Sequence, residues 1–447
     1  MNLCLACREV TADSHGGLAR SMCDLAEALV QEGHSVHLMT DISDAPTREL
    51  HGVSIKRLPI PPASGPCAGA APESASHNLM HAAAVYREVR RTHEYERPVD
   101  AVLAPLWRSE GAVCLLDDRF PTIISCMTSL RTLTEIDGAY RLLPDIAERL
   151  SLEREALARS RYLHGLTEAV LGKTIGDYDL HPDATAVIGR GLRDRSGLEA
   201  GDASVDSAAH VLFVGRIERR KGVDTLLAAA RELLDDGVAV DFTLAGPNAD
   251  PSFRDSFERE AGERPRLRAA VRFTGAVSDT ELQQLYADCD IVCVPSRYES
   301  HGVVLIEAMM FGKPIVTCDA GGIGEVVQAG RDALVSPPED AAALAASLRH
   351  LLVNSKLRAE LGRGARQTYE RRFDARAVAR RMQSFLEGVI AVHRGAADAS
   401  AGVSGRLQGL LRDVLAIASE NASALAGELL DPPAAARQTW AQGSGPG

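Results

Sequence analysis

The chain has no run of about 18 apolar residues, and no basic segment followed by an apolar one stands near its start. A membrane-spanning helix and a secretory leader are therefore not expected, and a cytoplasmic protein is. Positive charge is also in short supply. The formal net charge of −12 excludes a general nucleic-acid binder and a polybasic membrane face. One basic group, Arg87, Arg90, Arg91 and Arg97, is interleaved with Glu88, Glu94 and Glu96 and reads as a solvated helix end. Among nine cysteines only Cys4 and Cys7 form a C-x-x-C. A strand there points the two side chains to opposite faces, and no second pair supports a metal site or dithiol chemistry. The first glycine turn, His15-Gly16-Gly17, is not a G-x-G-x-x-G, which argues against a dinucleotide-dependent oxidoreductase.

What is present is a long alternation of strands and helices over 447 residues, enough for two or three domains. Apolar strands are expected at 2–7, 35–40, 53–60, 99–105, 121–127 and 162–166, with helices between them. A stretch without apolar periodicity, 193–209, reads as a linker. A second series of strands follows at 210–214, 240–245, 271–273, 291–295, 314–318 and 333–335. The divisions expected are an N-terminal α/β domain over 1–192, the linker 193–209, a second α/β domain over 210–373, a long helix over 374–394, and a tail over 395–447. A helix over 406–430 within the tail is a candidate for self-association. The Pro/Ala/Gly/Ser-rich segment 61–76 reads as a loop.

The second half holds the clearest chemistry. Val303–Met310 (VVLIEAMM) is apolar on every face except at Glu307, and a buried carboxylate needs a partner. Free N–H groups at Gly302, Val303 and Val304 make the tip of the same helix an anion site. Glu299 lies in the loop before it. Gly215-Arg216 and Lys221-Gly222 flank a strand-to-helix turn, where two cations suit a diphosphate. Two Asp-x-Asp triplets, Asp177/Asp179 and Asp288/Asp290, sit away from any phosphate-binding turn and read as chance spacings.

Taken together, Gly16-Gly17, Gly215-Arg216, Lys221-Gly222, Glu299-x7-Glu307 and the run ESHGVVLIEAM…GKPIV…GGIGEVV closely resemble the retaining GT-B glycosyltransferases of family 4, from residue 1 to about residue 393. The resemblance implies two Rossmann-like doubly wound domains facing across a cleft, with a C-terminal helical extension. It implies transfer of a sugar from a UDP- or GDP-sugar to a hydroxyl acceptor, with retention, without a metal or other cofactor. Arg216, Lys221 and Glu299 would be the catalytic residues. Gly16, Gly17, Gly215, Gly275, Val277, His301, Gly302, Val303, Val304 and Glu307 would bind the donor, with Glu307 on the ribose. The acceptor would lie against the N-terminal domain, near Trp107, Glu110, Thr128 and Arg131. Three departures stand out: Met127 where the family often has a histidine, His301 where phenylalanine is common, and Gly324 where proline often stands. A nucleotide-sugar epimerase of the same architecture and a nucleotide-sugar-binding subunit without turnover stay open as alternatives.

Overall fold

In the computed structural model, residues 1–10, 17–43, 49–58, 74–197 and 208–397 are described. Gly16, most of the 61–76 loop, most of the linker and the 406–430 helix lie outside them.

Two large sheets, one in each domain, organise the described residues, beside a two-stranded pairing of Glu9–Val10 with Ile42–Ser43. In the first, the spatial order is Ala184–Val187, Tyr162–Gly165, Thr122–Cys126, Ala101–Pro105, Asn2–Ala6, Ser35–Thr40, Val53–Arg57 and Glu49–Leu50. Only the last strand runs antiparallel to its neighbour. In the second, the order is Val271–Gly275, Val240–Ala245, Ala209–Val214, Ile291–Val294, Ile315–Cys318 and Ala333–Ser336. Numbered along the chain, that is 3-2-1-4-5-6, the order of a dinucleotide-type doubly wound sheet.

The strands read as continuous apolar runs because both faces are covered by helices. Along Asn2–Ala6 the neighbours separate cleanly: Cys4 and Ala6 join one core cluster, Leu3, Leu5 and Cys7 the other. Cys4 and Cys7 therefore face opposite sides of the sheet, as the strand periodicity requires. Leu212 likewise parts from Val211 and Phe213 in the second domain.

Strand order reverses once in each sheet, between Asn2–Ala6 and Ala101–Pro105 in the first and between Ala209–Val214 and Ile291–Val294 in the second. Loops diverge there and leave a crevice at the carboxyl edge, the usual ligand position in open α/β sheets. Residues 7–8 and 106–110 flank one crevice; residues 215–222 and 295–302 flank the other.

The helix Ala375–Ala397 leaves the second domain and packs on the first, with Val378, Met382, Leu386 and Val389 in one cluster with Leu25 and Leu29 of the helix Gly17–Gln31. Tyr162 donates to His393 Nδ1 (3.1 Å), while His393 Nε2 donates to the Asp118 carbonyl (2.9 Å). The start of the expected linker is held: Arg195 pairs with Asp24 (2.6 Å) and Arg193 with Glu27 (3.1 Å). Among the described residues no helix is long and apolar enough to cross a membrane.

Candidate active site

The site begins where Ile291–Val294 ends. Eight residues later the chain enters the helix Val303–Met310 through Gly302, whose φ is +76°. A Cβ there would lie 2.8 Å from Leu305 Cδ1, so only glycine makes this entry without strain. Gly302, at the N-cap, has no side chain to cap the helix start. The first-turn amides of Val303 and Val304 border an open cleft instead.

Glu307, 5% exposed, has the partner its burial demands. It comes from the other domain. Arg20 Nη1 donates to Glu307 Oε1 (2.6 Å), and Tyr286 OH donates to Oε2 (2.8 Å). Arg20 also pairs with Asp279. Burial raises the Glu307 pKa, and Arg20 and Tyr286 only partly offset it. Arg20 lies one turn beyond Gly17 on the helix Gly17–Gln31, so both project towards the cleft. A Cβ on Gly17 would stand 3.2 Å from Val303 Cβ. Glycine there lets the first helix approach the tip of the second.

Glu299 is equally committed. Lys221 Nζ donates to its Oε1, Ser296 Oγ donates to the same oxygen (3.1 Å), and Arg220 stands 3.9 Å from Oε2. Burial disfavours the charged form, but Lys221 and Arg220 outweigh it and hold Glu299 below the usual carboxylate range. The contact depends on Gly222, with φ +69° and a virtual Cβ 1.9 Å from the Pro295 carbonyl oxygen. No larger residue lets the two switch-point loops meet. Gly321 has the same role on the far side, with a virtual Cβ 2.3 Å from the Glu299 carbonyl oxygen. Arg216 is exposed in the cleft and pairs with Glu218 at 3.1 Å.

The cleft between the two domains measures about 400 Å³. Gly17, Gly215, Arg216, Lys221, Val277, Glu299, His301, Gly302, Val303, Val304 and Glu307 all line it. Gly275 is the exception among the described donor-site candidates. It takes a left-handed turn (φ +74°) and accepts the Gly246 N–H (2.9 Å), leaving Ala276 and Val277 on the wall. His301 is buried against Phe373, and burial together with Arg190 lowers its pKa to about 3, so the ring is neutral. A Cβ on Gly189 would stand 2.4 Å from His301 Nε2, which explains the glycine beside it. Arg20, Arg190, Arg220, Asp279 and Ser300 also line the cleft and were not picked out from sequence. Arg20 had one legible signal, its i+3 spacing from Gly17.

The four acceptor-side candidates lie elsewhere. Trp107 borders a separate cavity of about 20 Å³, Glu110 is buried, and Thr128 is half-buried. Arg131 is turned onto a neighbouring helix, donating to the Asp177 carbonyl and pairing with Glu135 (3.5 Å). Met127 is packed in the core. Asp290 accepts the His210 N–H (2.8 Å) at the amino end of its sheet, away from the cleft.

Two family models match, one to each domain. A glycosyl transferase 4-like domain covers residues 16–191 and the group 1 glycosyl transferases cover 201–368. The chain belongs to the family 4, group 1 glycosyl transferases. Over 171 residues it is 34% identical to a glycogen synthase of Mycobacterium tuberculosis, a stretch covering 38% of this chain and only 40% of that protein's length. It is 28% identical to a D-inositol 3-phosphate glycosyltransferase of Nocardioides sp., over 78% of this chain and 80% of that one. The fold is GT-B. The structure of Anabaena HepE in complex with UDP-glucose superimposes with a TM-score of 0.65 at 19% identity, covering 87% of this chain and all of that one.

Proposed function

We propose that the protein transfers a glycosyl group from a nucleoside diphosphate sugar, a UDP- or GDP-sugar, to an acceptor hydroxyl, with retention and without a metal ion. One observation carries this reading: Arg216, Lys221, the uncapped helix tip at Gly302–Val304 and two buried glutamates meet in one interdomain cleft. UDP-glucose bound to the HepE neighbour supports a uridine donor, and the D-inositol 3-phosphate glycosyltransferase relative supports transfer to a hydroxyl.

In this reading the diphosphate rests on the amides of Val303 and Val304, between Arg216 and Lys221. Negative charge grows on the leaving phosphate as the glycosidic bond breaks, and two fixed cations with a helix tip stabilise that charge. Glu307 accepts the ribose hydroxyls on lone pairs that Arg20 and Tyr286 leave free. Glu299, held ionised by Lys221, accepts from hydroxyls of the donor sugar. The base stacks near Ala276 and Val277. The acceptor approaches from the N-terminal domain on the same face as the leaving group. The new bond to the anomeric carbon forms on the face from which the phosphate leaves, which gives retention, and the departing phosphate takes the acceptor's proton. Metal independence rests on the two cations doing the charge stabilisation that a bound cation would otherwise supply.

Incubation with a panel of UDP- and GDP-sugars, followed by mass spectrometry and by NMR of the product anomer, tests this. Released nucleoside diphosphate and a product of unchanged anomeric configuration are expected. Epimerised donor with no transfer would favour the epimerase alternative instead.

A further inference from the structure

Five described cations line the donor cleft: Arg20, Arg190, Arg216, Arg220 and Lys221. Four of them have carboxylates. Arg20 pairs with Glu307 and Asp279, Arg216 and Arg220 with Glu218, and Lys221 with Glu299. Arg190 has no carboxylate among the described residues. Its Nη1 donates to Ser21 Oγ, a neutral partner. Burial lowers the Arg190 pKa to about 10, with Cys7 opposing the shift. The guanidinium is still charged at neutral pH. A cation drawn out of water without a counter-charge favours a bound anion.

The backbone on either side of Arg190 is pinned where the two domains join. A Cβ on Gly189 would stand 2.4 Å from His301 Nε2, and one on Gly191 would stand 2.8 Å from Val378 Cβ on the helix Ala375–Ala397. The Leu192 N–H then donates to the Phe373 carbonyl (2.9 Å). Only glycines fit this closely on both sides, so the Arg190 side chain is held at one place in the cleft wall. His301 beside it is neutral, and its Nδ1 is unpaired among the described residues. It supplies no counter-charge.

Two contacts say what the guanidinium faces. Ser21 lies one turn beyond Gly17 on the helix Gly17–Gln31, so the two share a face about 6 Å apart. Gly17 itself packs on Val303, where a Cβ would stand 3.2 Å from Val303 Cβ. His301, the second contact, immediately precedes Gly302, the N-cap of the helix Val303–Met310. Both contacts set Arg190 beside the helix tip. An anion resting on the Val303 and Val304 amides is within reach of its N–H fork, and two oxygens of a phosphate match that fork. Arg216 and Lys221 belong to the second domain; Arg190 comes from the first.

We propose that Arg190 is a further catalytic residue, a cation that the N-terminal domain supplies to the departing diphosphate. The proposal rests on the glycosyl-transfer reading above. As the bond from the anomeric carbon to the phosphate oxygen breaks, its electron pair goes to that oxygen, the acceptor oxygen bonds to the same carbon, and the acceptor proton passes to the phosphate. Arg190 receives the charge that grows on the phosphate in this step. Leaving-group stabilisation then requires both domains to be in place.

The test uses the full-length protein, with UDP, GDP, uridine and guanosine as calorimetric probes. Arg190→Ala should weaken the preferred nucleoside diphosphate at least tenfold, the worth of a hydrogen bond between charged groups, and its nucleoside less than twofold. Diphosphate release from the matching nucleotide-glucose should fall about 10²-fold in kcat. Added guanidinium chloride at millimolar concentration should raise the rate of Arg190→Ala at least fivefold, and equal sodium chloride should not. Arg190→Lys should keep diphosphate affinity within about fivefold of the parent, and Arg190→Gln, which has similar length and no charge, should not. This pair carries the comparison if the alanine variant fails to fold. Unchanged diphosphate affinity and kcat in Arg190→Gln overturn the proposal. So does a loss of equal size for diphosphate and nucleoside, which marks a structural role. A loss confined to UDP-glucuronate, with UDP and UDP-glucose as in the parent, also overturns it and turns Arg190 towards a sugar carboxylate. A parent that binds neither UDP nor GDP would instead defeat the glycosyl-transfer reading itself.

Discussion

Arg20 and Glu307 stand 287 residues apart in the chain, and their side chains meet across the interdomain cleft at 2.6 Å. The contact joins the first helix of one domain to the helix of the other on which the diphosphate is proposed to rest. It therefore couples the arrangement of the two domains to the carboxylate proposed for the donor ribose. Thr167 Oγ1, donating to the Ser300 carbonyl (3.0 Å), and Glu325, accepting the Glu168 and Ala169 amides (2.6 and 2.8 Å), fasten the same face.

A double-mutant cycle measures this coupling. Arg20→Ala and Glu307→Gln should show an interaction energy of about 1–3 kcal/mol in urea unfolding, since both groups are largely buried and in direct contact. Glu307→Gln should also weaken donor binding by roughly tenfold or more, the worth of one charge-assisted hydrogen bond. Unchanged donor affinity by calorimetry would leave Glu307 with a purely structural role.

The two cations of the glycine turn should separate in their effects. Arg216 is exposed and its described partners are Glu218 and Tyr140, so Arg216→Ala should change stability by less than about 1 kcal/mol while lowering turnover by about 10²–10³. Lys221→Ala should lower turnover comparably and also cost about 3 kcal/mol of stability, because it strips the main counter-charge from the buried Glu299. Thermal midpoints and kcat for the pair decide this. Equal stability losses would mean that Glu299 is compensated elsewhere.

Glu110 should give the protein a pH-dependent weakness. Burial, with Asp41 adding to it and Arg8 and Arg108 opposing, raises its pKa from about 4.5 to about 8. Its folded pKa lies above its unfolded one. Its contribution to stability is therefore full below about pH 4.5 and is lost as pH rises towards 8. At pH 7 the loss is on the order of 3 kcal/mol. Glu110→Gln should be more stable than the parent at pH 7–8, and the difference should vanish near pH 4.5. Parallel stability profiles across that range would refute the assignment.

Much of the architecture is legible in sequence because parallel strands buried on both faces leave short continuous apolar runs. LCLA, AVLAP and IVCV are such runs, and each became a strand. The donor cleft is legible for a different reason. Gly302, Gly222 and Gly215 stand where backbone must turn left-handed or touch another loop, and the charged residues beside them are fixed by those turns. Gly275 shows the limit: the sequence offers it as a donor contact, and in the structure its carbonyl accepts the Gly246 N–H while the neighbouring Ala276 and Val277 line the cleft. The i+3 spacing from Gly17 places Arg20 on the same side of its helix, but its partners, Glu307 and Asp279, come from the other domain, and sequence spacing does not record that meeting. The short pairing of Glu9–Val10 with Ile42–Ser43 was missed because two residues carry no periodicity. The N-terminal crevice was located only as a loop edge.

Arg216 and Lys221, rather than a metal ion, are proposed to stabilise the departing diphosphate. The most direct measurement is the rate of nucleoside diphosphate release from the preferred donor in the presence of excess EDTA, for the parent protein and for Arg216→Ala. The parent rate should be unchanged by EDTA, and the variant should fall by about 10² or more. A parent rate abolished by EDTA, together with a variant as fast as the parent, would contradict the account.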